Sequence, residues 1–136
     1  MKSMLIGLLD DGSARSELMP RNSATTLIVP SGETNTVDVR VFYPSGVPVL
    51  VTGHTAQLVV CCTVDPCRRV PDKSFSATLP ADPVGNLLRF DLAKEAFRGI
   101  NPARYLFEVW LSRTLDGERY QAVRTSAFVL TPALIR

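Results

Sequence analysis

The residues of this chain best suited to nucleophilic or metal chemistry are one histidine, His54, and three cysteines, Cys61, Cys62 and Cys67. A histidine-based triad would have to use His54, because an imidazole must take the proton of the nucleophile. No serine or cysteine stands in a nucleophile-elbow context. His54 lies in Thr52-Gly53-His54-Thr55 and is expected to be an exposed turn residue. Imidazole and thiolates could together hold zinc, yet the CC-x4-C spacing lacks the paired C-x2-C knuckles of a structural site. Cys61 and Cys62 are neighbours on an expected strand, so their side chains point to opposite faces. An odd cysteine count in this spacing is no disulfide framework, and one of the three is expected to fill the core. No metal and no other cofactor is expected.

Carboxylates and glycines lead to the same place. Asp10-Asp11 is set apart near the start of the chain, and Asp116 and Glu118 flank a turn where Asp serves geometry. Glu108 and Asp91 fall on polar strand faces, which fits solvation better than a glycosidase pair. Gly46, Gly53, Gly85 and Gly117 are isolated turn glycines and form no phosphate-binding loop. No catalytic residue is expected, and the chain is not expected to be an enzyme.

The 136 residues suit one domain with a real core. The formal net charge of +2 is small and its carriers are scattered, Arg68-Arg69 being the only adjacent basic pair. Nucleic acid and anionic membranes are therefore not expected partners. No apolar run approaches a membrane span. Met4-Leu5-Ile6-Gly7-Leu8-Leu9 is short for a signal-peptide core and runs into Asp10-Asp11. It is expected to belong to the mature protein, made in a cytoplasm.

Any functional residue must be positioned by strands. From Tyr105 to Leu130 the sequence predicts a long hairpin turning at Leu115-Asp116-Gly117-Glu118. Tyr105, Phe107, Val109 and Leu111 alternate with Leu106, Glu108, Trp110 and Ser112, the period of a half-buried strand. Val37, Val39, Val41 and Tyr43 form one face of an earlier strand. Further inward sets are Ala56, Leu58, Val60 and Cys62, then Phe75, Ala77 and Leu79, then Leu88, Phe90 and Leu92. Thr26 to Val29 and Val49-Leu50-Val51 are shorter strands. Ala93 to Arg98 is the one short helix, stopped by Gly99. Residues 1–24 read as an extended N-terminal arm with too little periodic apolar surface to fold alone, and residues 25–136 as the body. Seven or eight short strands with no covering helix imply an all-β, immunoglobulin-like antiparallel β-sandwich. The Cys…Trp…Cys order of antibody domains is absent, since Trp110 follows all three cysteines.

Two groups of residues are candidates for an interface. Phe42, Val59, Leu106 and Trp110 fall on nominally outward strand faces; where two or three of them meet they form either an apolar contact patch or a surface covered within the same subunit by the arm or by Ala93 to Arg98. Met4, Leu5, Ile6, Leu8 and Leu9 give the arm an apolar cluster, which is expected to order by packing against a neighbouring subunit.

The turn and strand pattern also carries a resemblance. Thr36 to Gly53 sets an alternating strand, a turn glycine, a short apolar step and a second glycine in succession. Asn86 to Leu92 and Pro102 to Val109 add a strand, a short helical step and a Pro-x-x-Tyr strand. Asp116-Gly117 and Ser126 to Pro132 supply a closing hairpin and a Pro-terminated last strand. This pattern is similar to the immunoglobulin-like domain at the N-terminus of phage baseplate upper proteins and related small virion domains. It covers residues 25–132 and brings no catalytic residues. Ala103-Arg104 stands where a glycine often precedes the tyrosine, and the CC-x4-C loop is foreign to the pattern. The resemblance implies a structural protein of a phage or prophage virion, placed in the tail, baseplate or fibre attachment or as capsid decoration. Its implied partners are other virion proteins and copies of itself. The alternative is a free-standing sandwich that recognises a carbohydrate or host protein through its loops.

Overall fold

Apolar residues at every second position drive the chain into two facing sheets. A computed structural model describes residues 2–10, 12, 26–61, 73–79, 85–100 and 102–132. Within them run β1 (Lys2–Leu8), β2 (Thr26–Pro30), β3 (Asn35–Phe42), β4 (His54–Cys61), β5 (Lys73–Ser76), β6 (Leu87–Leu92), β7 (Arg104–Arg113) and β8 (Arg119–Thr131). One sheet has the order β1-β3-β6 and the other β2-β8-β7-β4-β5. There is no helix among the described residues, so the apolar faces can only be buried sheet on sheet.

Register places the inward residues opposite one another. Val37 pairs with Phe90 and Val39 with Leu88 in the smaller sheet. In the larger one Ala56 pairs with Leu111, Leu58 with Val109, Val60 with Phe107, and Leu27 with Phe128. All of these are buried. Burial of each such large side chain stabilises by about 1.5–3 kcal/mol against exposure, so a one-residue register slip is strongly disfavoured. Phe75, Ala77 and Leu79 pack against this core from its margin.

The β7–β8 hairpin forms as its alternation predicts, with a looser turn. Five residues separate the strands, and Arg113 N donates to Glu118 O at 2.8 Å. Gly117 takes φ 71°, a left-handed conformation that a side chain would resist. Asp116 Oδ1 accepts from the Glu118 amide at 3.1 Å, the geometric role expected of it.

Several expectations are corrected. The sandwich is not purely antiparallel: β1 runs parallel to β3 and β2 parallel to β8. Residues 2–8, expected in an extended arm, are a strand of the sandwich. Leu5 and Leu9 are only 9 % and 7 % exposed, buried within their own chain. The close fit depends on Gly7, where a Cβ would meet Ala122 O at 3.0 Å and Val39 Cγ1 at 3.3 Å. Residues 13–25, which hold the rest of that arm, lie outside the described residues, as do Cys62, Cys67, Arg68-Arg69 and the tail over 133–136.

Residues 93–98 are consecutive turns rather than a helix. Their bonds run from Ala96 N to Ala93 O, Arg98 N to Glu95 O and Ile100 N to Phe97 O, each three residues back. A segment this short closes few bonds per residue fixed, so tertiary packing decides its shape. Here the packing is that of Phe97, which is buried with its ring 5.6 Å from Phe75 and 5.4 Å from Phe128. Val49-Leu50-Val51 is likewise no strand. Val49 N donates to Val41 O, and Pro48 makes an isolated bridge to Phe42. Proline cannot donate to a ladder, which limits the pairing to that bridge.

Candidate interaction surfaces

Among the described residues, chemistry-bearing groups do not converge. Among the described residues no three of His, Cys, Asp and Glu are grouped to hold a metal. His54 is the first residue of β4 and is half-buried, not the exposed turn residue expected. A cleft of about 340 Å³ lies between the Ser31-Gly32 turn and Lys94, Phe97, Arg98 and Ile100. Among the described residues its lining includes no histidine or carboxylate. No helix of the described residues is long and apolar enough to cross a membrane.

The nine candidate interface residues divide between two outer faces and the core. Val59, Leu106 and Trp110 do share a face, the outside of the five-stranded sheet. Gln57 pairs with Trp110, Val59 with Glu108 and Cys61 with Leu106, so Val59 sits diagonally between the other two. All three are half-buried. The Trp110 indole is engaged within the chain: Nε1 donates to Glu108 Oε2 at 2.7 Å, and the Arg119 guanidinium stacks 4.8 Å from its ring. Such a cation–π contact on a partly exposed ring is worth about 0.5–1 kcal/mol.

Phe42 lies elsewhere, on the outside of the three-stranded sheet, because it belongs to β3. Its parallel register partner is Leu8, and Met4 and Ile6 continue the same face at two-residue steps. Met4 is 54 % exposed and Ile6 is 48 % exposed. Leu5 and Leu9 point to the core and leave the candidate set. Among the described residues sequence periodicity missed four further exposed large apolar residues: Ile28, Val47, Leu50 and Leu115. Val47 and Leu115 had a readable signal, since each sits at a turn with no face to bury.

The sequence also missed a charged clasp on the smaller sheet. Arg89 Nε donates to Asp38 Oδ1 at 2.8 Å and Arg89 NH2 to Oδ2 at 3.1 Å, a bidentate pair. Lys2 Nζ lies 3.3 Å from Oδ2. The Asp38 side chain is 1 % exposed, while those of Arg89 and Lys2 are 43 % and 62 % exposed. The Arg89 hydrogen bonds hold the Asp38 carboxyl below its ordinary pKa, against the opposing effect of burial and with help from Lys2. One carboxylate thus ties β1 and β6 to the central β3. Beside the β7–β8 turn the Tyr120 hydroxyl donates to Glu118, and that carboxylate raises the phenol's pKa.

No family model matches the chain, and no curated protein does. Among solved structures it is similar to the N-terminal domain of phage TP901-1 ORF48, with 10 % identity and a TM-score of 0.48 over 97 % of this chain and 99 % of that one. It is also similar to PbICP-C, solved in complex with falcipain-2, with 14 % identity and a TM-score of 0.41 over 93 % and 98 %. Neither likeness transfers a function to this chain.

Proposed function

We propose that this chain is a non-enzymatic structural protein of a tailed-phage or prophage particle. In this reading it is an immunoglobulin-like sandwich that docks on other particle proteins, as a tail, baseplate or fibre-attachment component or as capsid decoration. The observation that carries the docking role is the outer face of the three-stranded sheet. Met4 and Ile6 present half their surface to water beside Leu8 and Phe42, on a strand face where a monomer ordinarily carries polar residues. The turn and strand pattern over residues 25–132 supplies the phage assignment. Strand order supports the immunoglobulin-like reading: β3-β6 opposite β8-β7-β4 parallels the B-E and G-F-C strands of that sandwich, although the parallel β1–β3 pair departs from it.

A free-standing module that binds a carbohydrate or host protein is the second reading. The cleft beside Phe97, flanked by Lys94 and Arg98, is the feature in its favour. Mass spectrometry of gradient-purified particles separates the two. Peptides of this chain that co-sediment with the particle support the structural role. A chain found only in the soluble fraction of the lysate defeats that role and favours the module.

A further inference from the structure

We infer that β1 pairs edge to edge with β1 of a second copy of this chain, antiparallel and centred on Leu5. The starting point is the backbone of β1. Leu9 N donates to Phe42 O at 2.9 Å, so Leu9 turns its polar backbone groups toward β3. Strand residues alternate in this respect, so Leu5 and Gly7 do the same and Met4, Ile6 and Leu8 turn theirs to the opposite edge. Among the described residues no strand pairs with that edge, since β1 is the outermost strand of its sheet. Within its seven residues β1 has none of the devices that protect a free edge: no proline, no bulge and no charge between Ser3 and Leu8.

The pattern of β1 is self-complementary. A two-fold axis at Leu5 pairs all seven residues, with Met4 of each copy opposite Ile6 of the other and Lys2 opposite Leu8. These are the residues whose N–H and C=O groups face the free edge, so each pair can exchange two hydrogen bonds. Their side chains share the outer face. The exposed Met4 and Ile6 of both copies therefore meet across the seam and cover one another. The two Lys2 side chains fall at opposite ends, roughly 20 Å apart along the strand, and do not repel. The result is a continuous six-stranded sheet built from two copies. One strand edge is a small contact, and weak, micromolar-range association is expected.

The pairing does not rest on the particle assignment, although it covers the same Met4 and Ile6, and it is tested on the isolated full chain. Sedimentation equilibrium is run under reducing conditions from about 1 to about 500 μM, a range that brackets the expected affinity. Any purification tag is placed at the C-terminal end. The expected result is a reversible monomer–dimer equilibrium. Ile6→Pro removes an N–H that β1 does not use within its own sheet, so the monomer keeps its fold by circular dichroism while dimerisation weakens roughly 100-fold. Ile6→Lys, at a half-exposed position, weakens it at least roughly tenfold and stands in should the proline variant fail to fold. A chain that stays monomeric throughout, or a dimer indifferent to the substitution at Ile6, overturns the inference.

Discussion

Replacing Phe97 by Ala tests whether residues 93–100 plug the sandwich or merely cross its surface. The ring is 6 % exposed and forms aromatic contacts with Phe75 and Phe128 at 5.6 and 5.4 Å. Phe128 in turn meets Phe107 at 6.3 Å, so the plug is continuous with the centre of the core. Truncating a buried Phe to Ala costs about 3–5 kcal/mol, the spread reflecting how far the site can collapse. Among the described residues, the backbone of residues 93–100 bonds only within its own turns, so the loop can shift inward once the ring is gone. The expected loss is therefore at the lower end, about 3 kcal/mol. For a chain of this size that corresponds to a drop in Tm of roughly 10 °C. Phe97→Leu keeps most of the volume and is expected to cost under about 1.5 kcal/mol. Urea denaturation read by circular dichroism gives both values, with the midpoint shifting at constant m. A loss under about 1 kcal/mol for Phe97→Ala would refute the plug and restore an exposed, surface-lying segment.

Other expectations follow from the smaller sheet and the outer faces. The depressed pKa of Asp38 means that its contribution to stability is fully present above the ordinary carboxylate range near 4 and is lost as pH falls through the lower native value. Acid titration of the urea midpoint should show this fall, and Asp38→Asn should flatten it. Arg89→Ala should destabilise more than Lys2→Ala, because only Arg89 binds the buried carboxylate through two donors; equal losses would contradict the bidentate clasp. Gly7→Ala presses a methyl group against Ala122 O and should cost about 1–3 kcal/mol, with faster amide exchange confined to β1 and its neighbours. Trp110→Ala and Phe42→Ala should weaken incorporation into particles more than they lower Tm, measured by copy number per particle beside thermal denaturation.

The inward residues were legible because alternation reports burial directly. Val37, Val39, Val41, Leu58, Leu88, Phe90, Phe107, Val109 and Leu111 all sit in the core as their spacing requires. The role of β1 was hidden for the opposite reason. Met4-Leu5-Ile6-Gly7-Leu8 is apolar on both faces, so no period marks it as a strand, and its parallel partner lies some thirty residues away in sequence. Phe42 was grouped with Trp110 because both face outward. Outward has two meanings in a sandwich, and only strand pairing shows that β3 and β7 belong to different sheets. Alternation along β3 places Asp38 but marks no partner for it. It does face outward, but Arg89 and Lys2 from the flanking strands lie over it and take it out of water. Ala-Lys-Glu-Ala has the propensity of a helix, and a buried Phe97 overrode it at a length where propensity is weak.

As proposed above, this chain works by docking within a particle. Cross-linking mass spectrometry on gradient-purified particles tests it most directly, with Lys2 and Lys94 as reporters on the described surface. The expected result is peptides of this chain in the particle, with Lys2, near the Met4 and Ile6 face, linked to another particle protein or to a second copy. Particles that assemble to full infectivity with no peptide of this chain would contradict it.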